Sequence, residues 1–112
     1  MADCIFCQIA QKQIPTKVVY EDELFIAFPD IDPVVKVHIL IIPKQHRQFN
    51  EVATNYPEIP GQVAAIAKKI AEDLEIDESG YRLTVNNGPD SGQEVQHLHW
   101  HLLGGERLGQ IA

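Results

Sequence analysis

The sequence is poor in several features that mark large classes of proteins. It has nine Lys and Arg against sixteen Asp and Glu, a formal net charge of −7, so its surface as a whole would repel nucleic acid polymers. It has no apolar run near the roughly 20 residues that a membrane helix needs, and residues 1–8 lack the regions of a secretory signal. We therefore expect a soluble protein of the cytoplasm that binds neither nucleic acid polymers nor membranes.

Cysteine is also scarce, since Cys4 and Cys7 are the only two in 112 residues. In the cytoplasm we expect reduced thiols or metal ligands rather than a structural disulfide. The Cys-x-x-Cys spacing suits a metal site, a redox pair or two free thiols, and the spacing alone does not decide among them. A chain of this length, 45% hydrophobic, is typical of a single domain over residues 1–112.

The apolar periodicity predicts an α+β domain with one long and one short helix. Residues 4–11 have the spacing of a short helix, and residues 63–74 that of a long amphipathic one. Five segments have a strand pattern: residues 17–20, 24–28, 37–42, 81–86 and 97–103. Short links between the first three predict a meander, and we expect a five-stranded antiparallel sheet with the helices on one face.

Three histidines alternate with apolar residues near the end of the chain. In a strand the side chains of His97, His99 and His101 project from one face. Three stacked imidazoles would repel one another if protonated, which favours a functional role over an incidental polar surface. Metal ligation and nucleophilic or acid–base catalysis both use such a set. His38 lies in a strand that looks buried, where it is either a hydrogen-bonded core residue or a support for one of the three.

The run from His97 to Leu103 resembles the His-φ-His-φ-His-φ-φ motif of the histidine triad family of nucleotide hydrolases and transferases. The resemblance covers nearly the whole chain, through residues 14–15, 28–31, 38–44, 86 and 92–95. Gly104-Gly105 after the triad is similar to the Hint branch, the purine nucleoside phosphoramidases. The resemblance implies a hydrolase of purine mononucleotide derivatives without an organic cofactor. It also implies a homodimer in which the sheet extends across the interface.

The resemblance implies a catalytic role for three histidines. His99 would attack the α-phosphorus of a nucleoside 5′-phosphoramidate or mixed anhydride, and water would then hydrolyse the nucleotidyl-histidine. His101 would contact the phosphate, and His38 would support the arrangement around the nucleophile. The third triad position is histidine rather than the glutamine of one transferase branch, which favours hydrolysis.

The resemblance also implies a nucleotide-binding set. Asp30 would bind the ribose hydroxyls, with Phe28 and Ile31 beside the base; Asp30 is otherwise an ordinary turn residue. The residues expected near the phosphate, besides His99 and His101, are Asn86, Gly92, Gln93, Glu94 and Val95. Glu94 departs from the small hydroxyl residue of many members. We expect it to point away, leaving backbone N–H groups to hold the anion, or else to meet a cationic amine leaving group.

A structural zinc site is implied as well. Some similar proteins bind zinc through residues that match Cys4, Cys7, His46 and His97, and all four are present. The metal would fasten the N-terminal helix to the sheet. Free thiols and a redox pair remain the alternatives for the two cysteines.

Three other functions compete with a phosphoramidase. The nearest enzymatic alternative is a dinucleoside polyphosphate hydrolase, a group that usually lacks the Gly-Gly after the triad. A non-catalytic nucleotide-binding or interaction module would not need the intact triad. A catalytic metal site built from histidines would make the activity sensitive to chelators.

Overall fold

The computed structural model describes residues 4–111, in which the apolar segments form one antiparallel sheet of five strands. The strands are β1 (Tyr20–Glu21), β2 (Phe25–Pro29), β3 (Val37–Pro43), β4 (Tyr81–Val85) and β5 (Trp100–Gly104). Their order in space is β1-β2-β3-β5-β4, so β3 is central. The meander of the first three strands is confirmed, as is the α+β class.

The last strand of the chain is inserted between β3 and β4. Leu40 of β3 and Thr84 of β4 both lie opposite His101, and His38 lies opposite Leu103. The insertion therefore brings β3, which carries His38, beside β5, which carries His101 and directly follows His99. β5 begins three residues later than predicted: the Leu98 amide donates to the carbonyl of Arg47, in the segment before α2, at 2.8 Å.

The helices among the described residues cover both faces of the sheet, not one face as predicted. They are α1 (Ile5–Ala10), α2 (Phe49–Asn55) and α3 (Glu58–Asp73), with a 3₁₀ turn at Pro89–Ser91. The long helix was predicted from residue 63; it begins five residues earlier, with Pro60 in its first turn, where a missing N–H costs nothing. The apolar periodicity of the sequence did not predict α2.

Each face of the sheet has its own apolar cluster because side chains of a strand alternate. On one face α2 and α3 bury Val52, Val63 and Ile70 against alternate residues of the sheet, including Trp100. On the other face Phe6 and Ile9 of α1 pack against Ile26, Phe28, Leu40 and Ile42. The strands β2 and β3 are apolar on both sides, so a helix on either face buries apolar surface. No helix within residues 4–111 is both long and apolar enough to cross a bilayer.

Candidate active site and metal centre

The three histidines of the run project towards α1, as their alternation predicts. The Phe6 ring packs edge-to-face with the rings of His97 and His99, and its centroid lies 5.8 Å and 5.1 Å from theirs. The His99 and His101 rings are 5.0 Å apart. His97 and His99 are buried and His101 is half-buried. The contact with Phe6 depends on which face α1 covers, so no sequence signal indicated it.

The backbone determines which nitrogen of His99 carries the proton. Its Nδ1 lies 2.8 Å from the carbonyl oxygen of His97. A carbonyl only accepts, so Nδ1 carries the hydrogen and donates it. In the neutral ring the lone pair is then on Nε2, the form that a nitrogen nucleophile requires.

His38 and His101 form a second hydrogen-bonded pair, beside His99 and the His97 carbonyl. The Val34 amide donates to Nδ1 of His38 at 3.2 Å, so the neutral ring carries its proton on Nε2. That nitrogen is 2.8 Å from Nδ1 of His101 and 3.4 Å from Oδ2 of Asp30. His38 therefore donates to His101, which leaves the proton of His101 on its Nε2. The sequence predicted that His38 needs a partner, but nothing in it indicated Val34.

Burial keeps the imidazoles of this pair neutral. Desolvation lowers the pKa of His101 to about 4, and the neighbouring charges of His99 and His38 act in the same direction, while Asp30 opposes them. Desolvation also lowers the pKa of His38, against the attraction of Asp30 and Asp32. At pH 7 both rings are uncharged and can share one hydrogen bond.

The lowered pKa of His101 predicts a loss of stability in acid. Unfolded His101 has a pKa near 6.5 and folded His101 one of about 4, so between these values the unfolded chain binds more protons. The contribution of the neutral His101 ring to the free energy of unfolding is complete above pH 6.5. It falls by about 1–2 kcal/mol as the pH falls towards 4, after discounting for partial exposure. Urea unfolding at pH 7.5 and 4.5 measures this. His101→Gln should lose less stability over the interval; equal losses would contradict the assignment to His101.

The residues expected around the base and ribose lie at the end of β2 and in the following loop. Asp30 is half-buried, and its Oδ1 accepts the Asp32 amide at 2.9 Å while Oδ2 faces His38. Ile31 is 98% exposed, whereas Phe28 is 3% exposed and packs edge-on against Phe6. Asp30 thus lies beside His38, whereas Ile31 is an exposed apolar side chain of the following loop.

The residues expected near the phosphate, apart from His99 and His101, lie in the segment between the end of β4 and the start of β5. Gln93 holds this segment together: its Oε1 accepts the Gly88 amide at 2.9 Å and its Nε2 donates to the Val95 carbonyl at 3.0 Å. Gly92 has φ +85°, and its amide donates to the Pro89 carbonyl. A β-carbon there would meet nothing within 4 Å, so glycine is required by the backbone conformation and not by crowding.

Two further predicted residues of this segment have distinct environments. Asn86 directly follows β4 and is half-buried, and Val95 packs against the apolar cluster under α1. Glu94 is exposed.

Both cysteines meet two histidines on the α1 side of the sheet. Nδ1 of His97 lies 3.3 Å from Sγ of Cys4 and 3.6 Å from Sγ of Cys7, and Nδ1 of His46 lies 3.4 Å from Sγ of Cys7. The four ligand atoms are all within 4.8 Å of one another. Burial raises the pKa of the Cys7 thiol, and a hydrogen bond and the charge of Cys4 raise it further.

This donor set fits a tetrahedral metal ion. Zinc bonds of ~2.3 Å to sulfur and ~2.0–2.1 Å to nitrogen separate neighbouring ligand atoms by roughly 3.3–3.8 Å, which the observed distances match. Nε2–H of His97 donates to the carbonyl of Pro43 at 2.8 Å. That bond leaves the lone pair of Nδ1 directed at the sulfurs, the usual support for a metal-binding imidazole.

A second cluster within the described residues contains groups that bind metals. Atoms of Asp30, His38 and His101 lie within 4.8 Å of one another. This is the cluster that a catalytic metal would use. The hydrogen bond between the two imidazoles instead engages the nitrogen atoms with each other.

The chain is similar to known proteins in both sequence and structure. A model of the HIT domain matches residues 11–108. Purine nucleoside phosphoramidase of Escherichia coli is 44% identical over 110 residues, covering 97% of this chain and 92% of that protein. A HIT family hydrolase from Legionella pneumophila matches with a TM-score of 0.90 at 44% identity over 96% of each chain. A zinc-bound histidine triad protein from Mycobacterium smegmatis matches with a TM-score of 0.81 at 31% identity, over 96% of this chain and 81% of that one.

The match to the family model covers most of the chain, and the relative from Escherichia coli is similar along nearly its full length. The five-stranded sheet is shared with the solved hydrolase. The chain therefore belongs to the HIT domain family, and it is a hydrolase.

Proposed function

We propose that the protein hydrolyses purine nucleoside 5′-phosphoramidates and acyl nucleotides through a covalent intermediate on His99. The observation that carries the proposal is the hydrogen bond from Nδ1 of His99 to the carbonyl of His97, because it leaves the lone pair on Nε2 of a buried ring. The phosphoramidase of Escherichia coli, 44% identical, supports the substrate class.

The reaction has two displacements at phosphorus. Nε2 of His99 forms a bond to the α-phosphorus as the bond to the leaving amine nitrogen or carboxylate oxygen breaks, and a leaving amine takes one proton from the solvent. Water then forms a bond to phosphorus and releases one proton to the solvent, the phosphorus–Nε2 bond breaks, and the nucleoside monophosphate leaves. The His97 carbonyl stabilises the positive charge of the substituted ring, and Nε2–H of His101 donates to a phosphate oxygen.

The substrate would lie over the loop that follows β2. In this proposal Asp30 accepts hydrogen bonds from the ribose hydroxyls, and Ile31 and Phe28 flank the base. The loop before the histidine run, from Asn86 to Val95, lies beside the phosphate. Glu94 is exposed, which supports the arrangement in which it points away from the phosphate and backbone N–H groups hold the anion.

Replacing Asp30 with alanine should raise KM by roughly 10- to 100-fold, because two hydrogen bonds to a carboxylate are lost. The discriminating measurement compares a ribose substrate with its 2′,3′-dideoxy form. Wild type should prefer the ribose and Asp30→Ala should not. Asp32→Ala, which changes an exposed neighbour, is the matched control. An undiminished preference in Asp30→Ala would rule out this contact.

The proposal is tested by hydrolysis of a fluorogenic adenosine 5′-phosphoramidate beside diadenosine triphosphate. We expect faster turnover of the phosphoramidate and, after rapid acid-free quenching, a protein adduct carrying one nucleotide. Faster cleavage of the dinucleotide would favour the polyphosphate hydrolase. Binding of AMP without turnover of either compound would favour the binding module. Activity lost on chelation while the protein stays folded would favour a catalytic metal.

We also propose that Cys4, Cys7, His46 and His97 hold a structural zinc ion. The ligand distances and the zinc-bound relative from Mycobacterium smegmatis support this. Bound zinc would supply a cross-link between α1 and the sheet. We also propose a cytoplasmic location, where free thiols stay reduced and available to the metal.

A homodimer of single-domain chains completes the proposal. Within the described residues β4 pairs with β5 along one edge, and its other edge has no strand beside it. A second β4 there would extend the sheet across the dimer, and pairing would protect an edge that otherwise invites aggregation. Light scattering of the purified protein measures the mass.

A further inference from the structure

A hydrogen bond between two neutral imidazoles, such as those of His38 and His101, has two possible directions. Nε2 of His38 and Nδ1 of His101 are 2.8 Å apart, and two neutral rings place one proton between them. If His38 donates, His101 keeps a proton on Nε2. If His101 donates, its Nε2 has a lone pair instead of a proton. That nitrogen and a phosphate oxygen would then both be acceptors, and no hydrogen bond could form between them. The direction therefore decides whether His101 can bind an anion.

A backbone amide determines the direction. The Val34 N–H lies 3.2 Å from Nδ1 of His38, and an amide nitrogen can only donate. The reverse direction would put a proton on Nδ1 facing that N–H. Oδ2 of Asp30, 3.4 Å from Nε2 of His38, also favours a proton on Nε2. The Val34 side chain is 72% exposed, so the contribution of this residue to the pair comes from its backbone.

The loop of residues 30–36, which carries this amide, is held by the turn after the histidine run. The Lys36 amide donates to Oε2 of Glu106 at 2.9 Å, and Val37 pairs with Gly104. Gly105 has φ +82°, and a β-carbon there would lie 3.0 Å from Cγ2 of Val37. Glycine thus lets the turn lie against the start of β3, which brings the Glu106 carboxylate to the loop.

We propose that the Val34 amide is a positioning group that directs the proton of the His38–His101 pair, and that Glu106 holds the loop in place for it. The inference rests on the proposed function, in which His101 donates to the phosphate. It explains what the Gly-Gly-Glu turn contributes to the site.

The direct test replaces the amide by an ester, with 2-hydroxy-3-methylbutanoic acid incorporated in place of Val34. The ester keeps the side chain and removes the N–H. We expect kcat to fall roughly 10- to 100-fold, which is no more than the fall in kcat when a direct hydrogen-bond donor to the transition state is removed. KM should change less than about threefold. Nitrogen NMR of the imidazoles without substrate should show His38 acquiring a population protonated on Nδ1.

Side-chain variants at two positions provide controls without an ester. Val34→Ala keeps the N–H and should retain the wild-type protonation of His38. Glu106→Ala should lower kcat and change the protonation of His38 in the direction of the ester, and Glu106→Gln, which keeps an oxygen acceptor, should restore both. The proposal is overturned if the ester protein keeps kcat within about twofold, or if His38 remains protonated on Nε2 in both the ester protein and Glu106→Ala.

The NMR measurement separates this inference from the proposed reaction. If wild type fails to turn over the phosphoramidate, the proposed function fails, yet the His38 spectra still test the role of Val34. A change in kcat with no change in those spectra would overturn the inference and leave the reaction intact.

Discussion

Replacing His99 with alanine is expected to reduce hydrolysis of the phosphoramidate by at least about 10³-fold, because no other group would take its place as nucleophile. The ring is 6% exposed, and its Nδ1–H is held by the His97 carbonyl. Alanine removes the attacking nitrogen and leaves the phosphate site and the ribose site in place. AMP should therefore still bind with a Kd within about fivefold of wild type, measured by calorimetry.

The control for this prediction is His101→Ala, which removes the same side chain two residues away. We expect it to lower kcat by roughly 10²-fold through loss of a phosphate donor, while the nucleotide adduct still forms. His99→Ala should form no adduct at all. If His99→Ala, shown to be folded by circular dichroism, turned over substrate as fast as wild type, another residue would be the nucleophile.

Removing the metal ligands is expected to have the largest effect on stability. Cys4→Ser combined with Cys7→Ser should abolish zinc binding and lower Tm by about 10 °C or more, because metal binding contributes directly to folding in a small domain. His97 would then lie buried without its metal, and α1 would lose the link through the metal while its apolar contacts with the sheet remain. Elemental analysis and thermal unfolding of each protein measure the two effects.

The matched control is Ile5→Ala, a change between the two cysteines at a side chain that is 46% exposed. It should keep one zinc per chain and change Tm by less than about 3 °C. Chelation of wild type should reproduce the double variant. A wild-type protein that binds no zinc, with a Tm that chelators do not move, would mean that the cysteines are free thiols or a redox pair.

The residue pattern alone predicted the common direction of the three histidines. Strict alternation directs His97, His99 and His101 to one face in any strand-like backbone, because side-chain direction has a period of two. The prediction holds although His97 to His99 precede the first ladder residue of β5. The family motif likewise indicated Asp30 and His38, and the structure brings both to His101.

Local pattern also determined the elements, with errors at their ends. The spacing of Val63, Ile66 and Ile70 predicted α3, but its first turn contains Pro60, which does not by itself distinguish a helix start from a loop. α2 was missed because Val52 is its only buried residue, so its apolar spacing is weak.

Tertiary structure decided which residues act on one another, because strand order and helix placement depend on contacts between distant segments. Insertion of β5 between β3 and β4 puts His38 beside His101, and packing of α1 on the histidine face brings Phe6 and the cysteines to His97 and His99. Backbone groups then determine the protons, through the His97 carbonyl and the Val34 amide. Nearly every residue has such groups, so residue type carries no signal for them, and only the folded chain selects the ones that face these imidazoles.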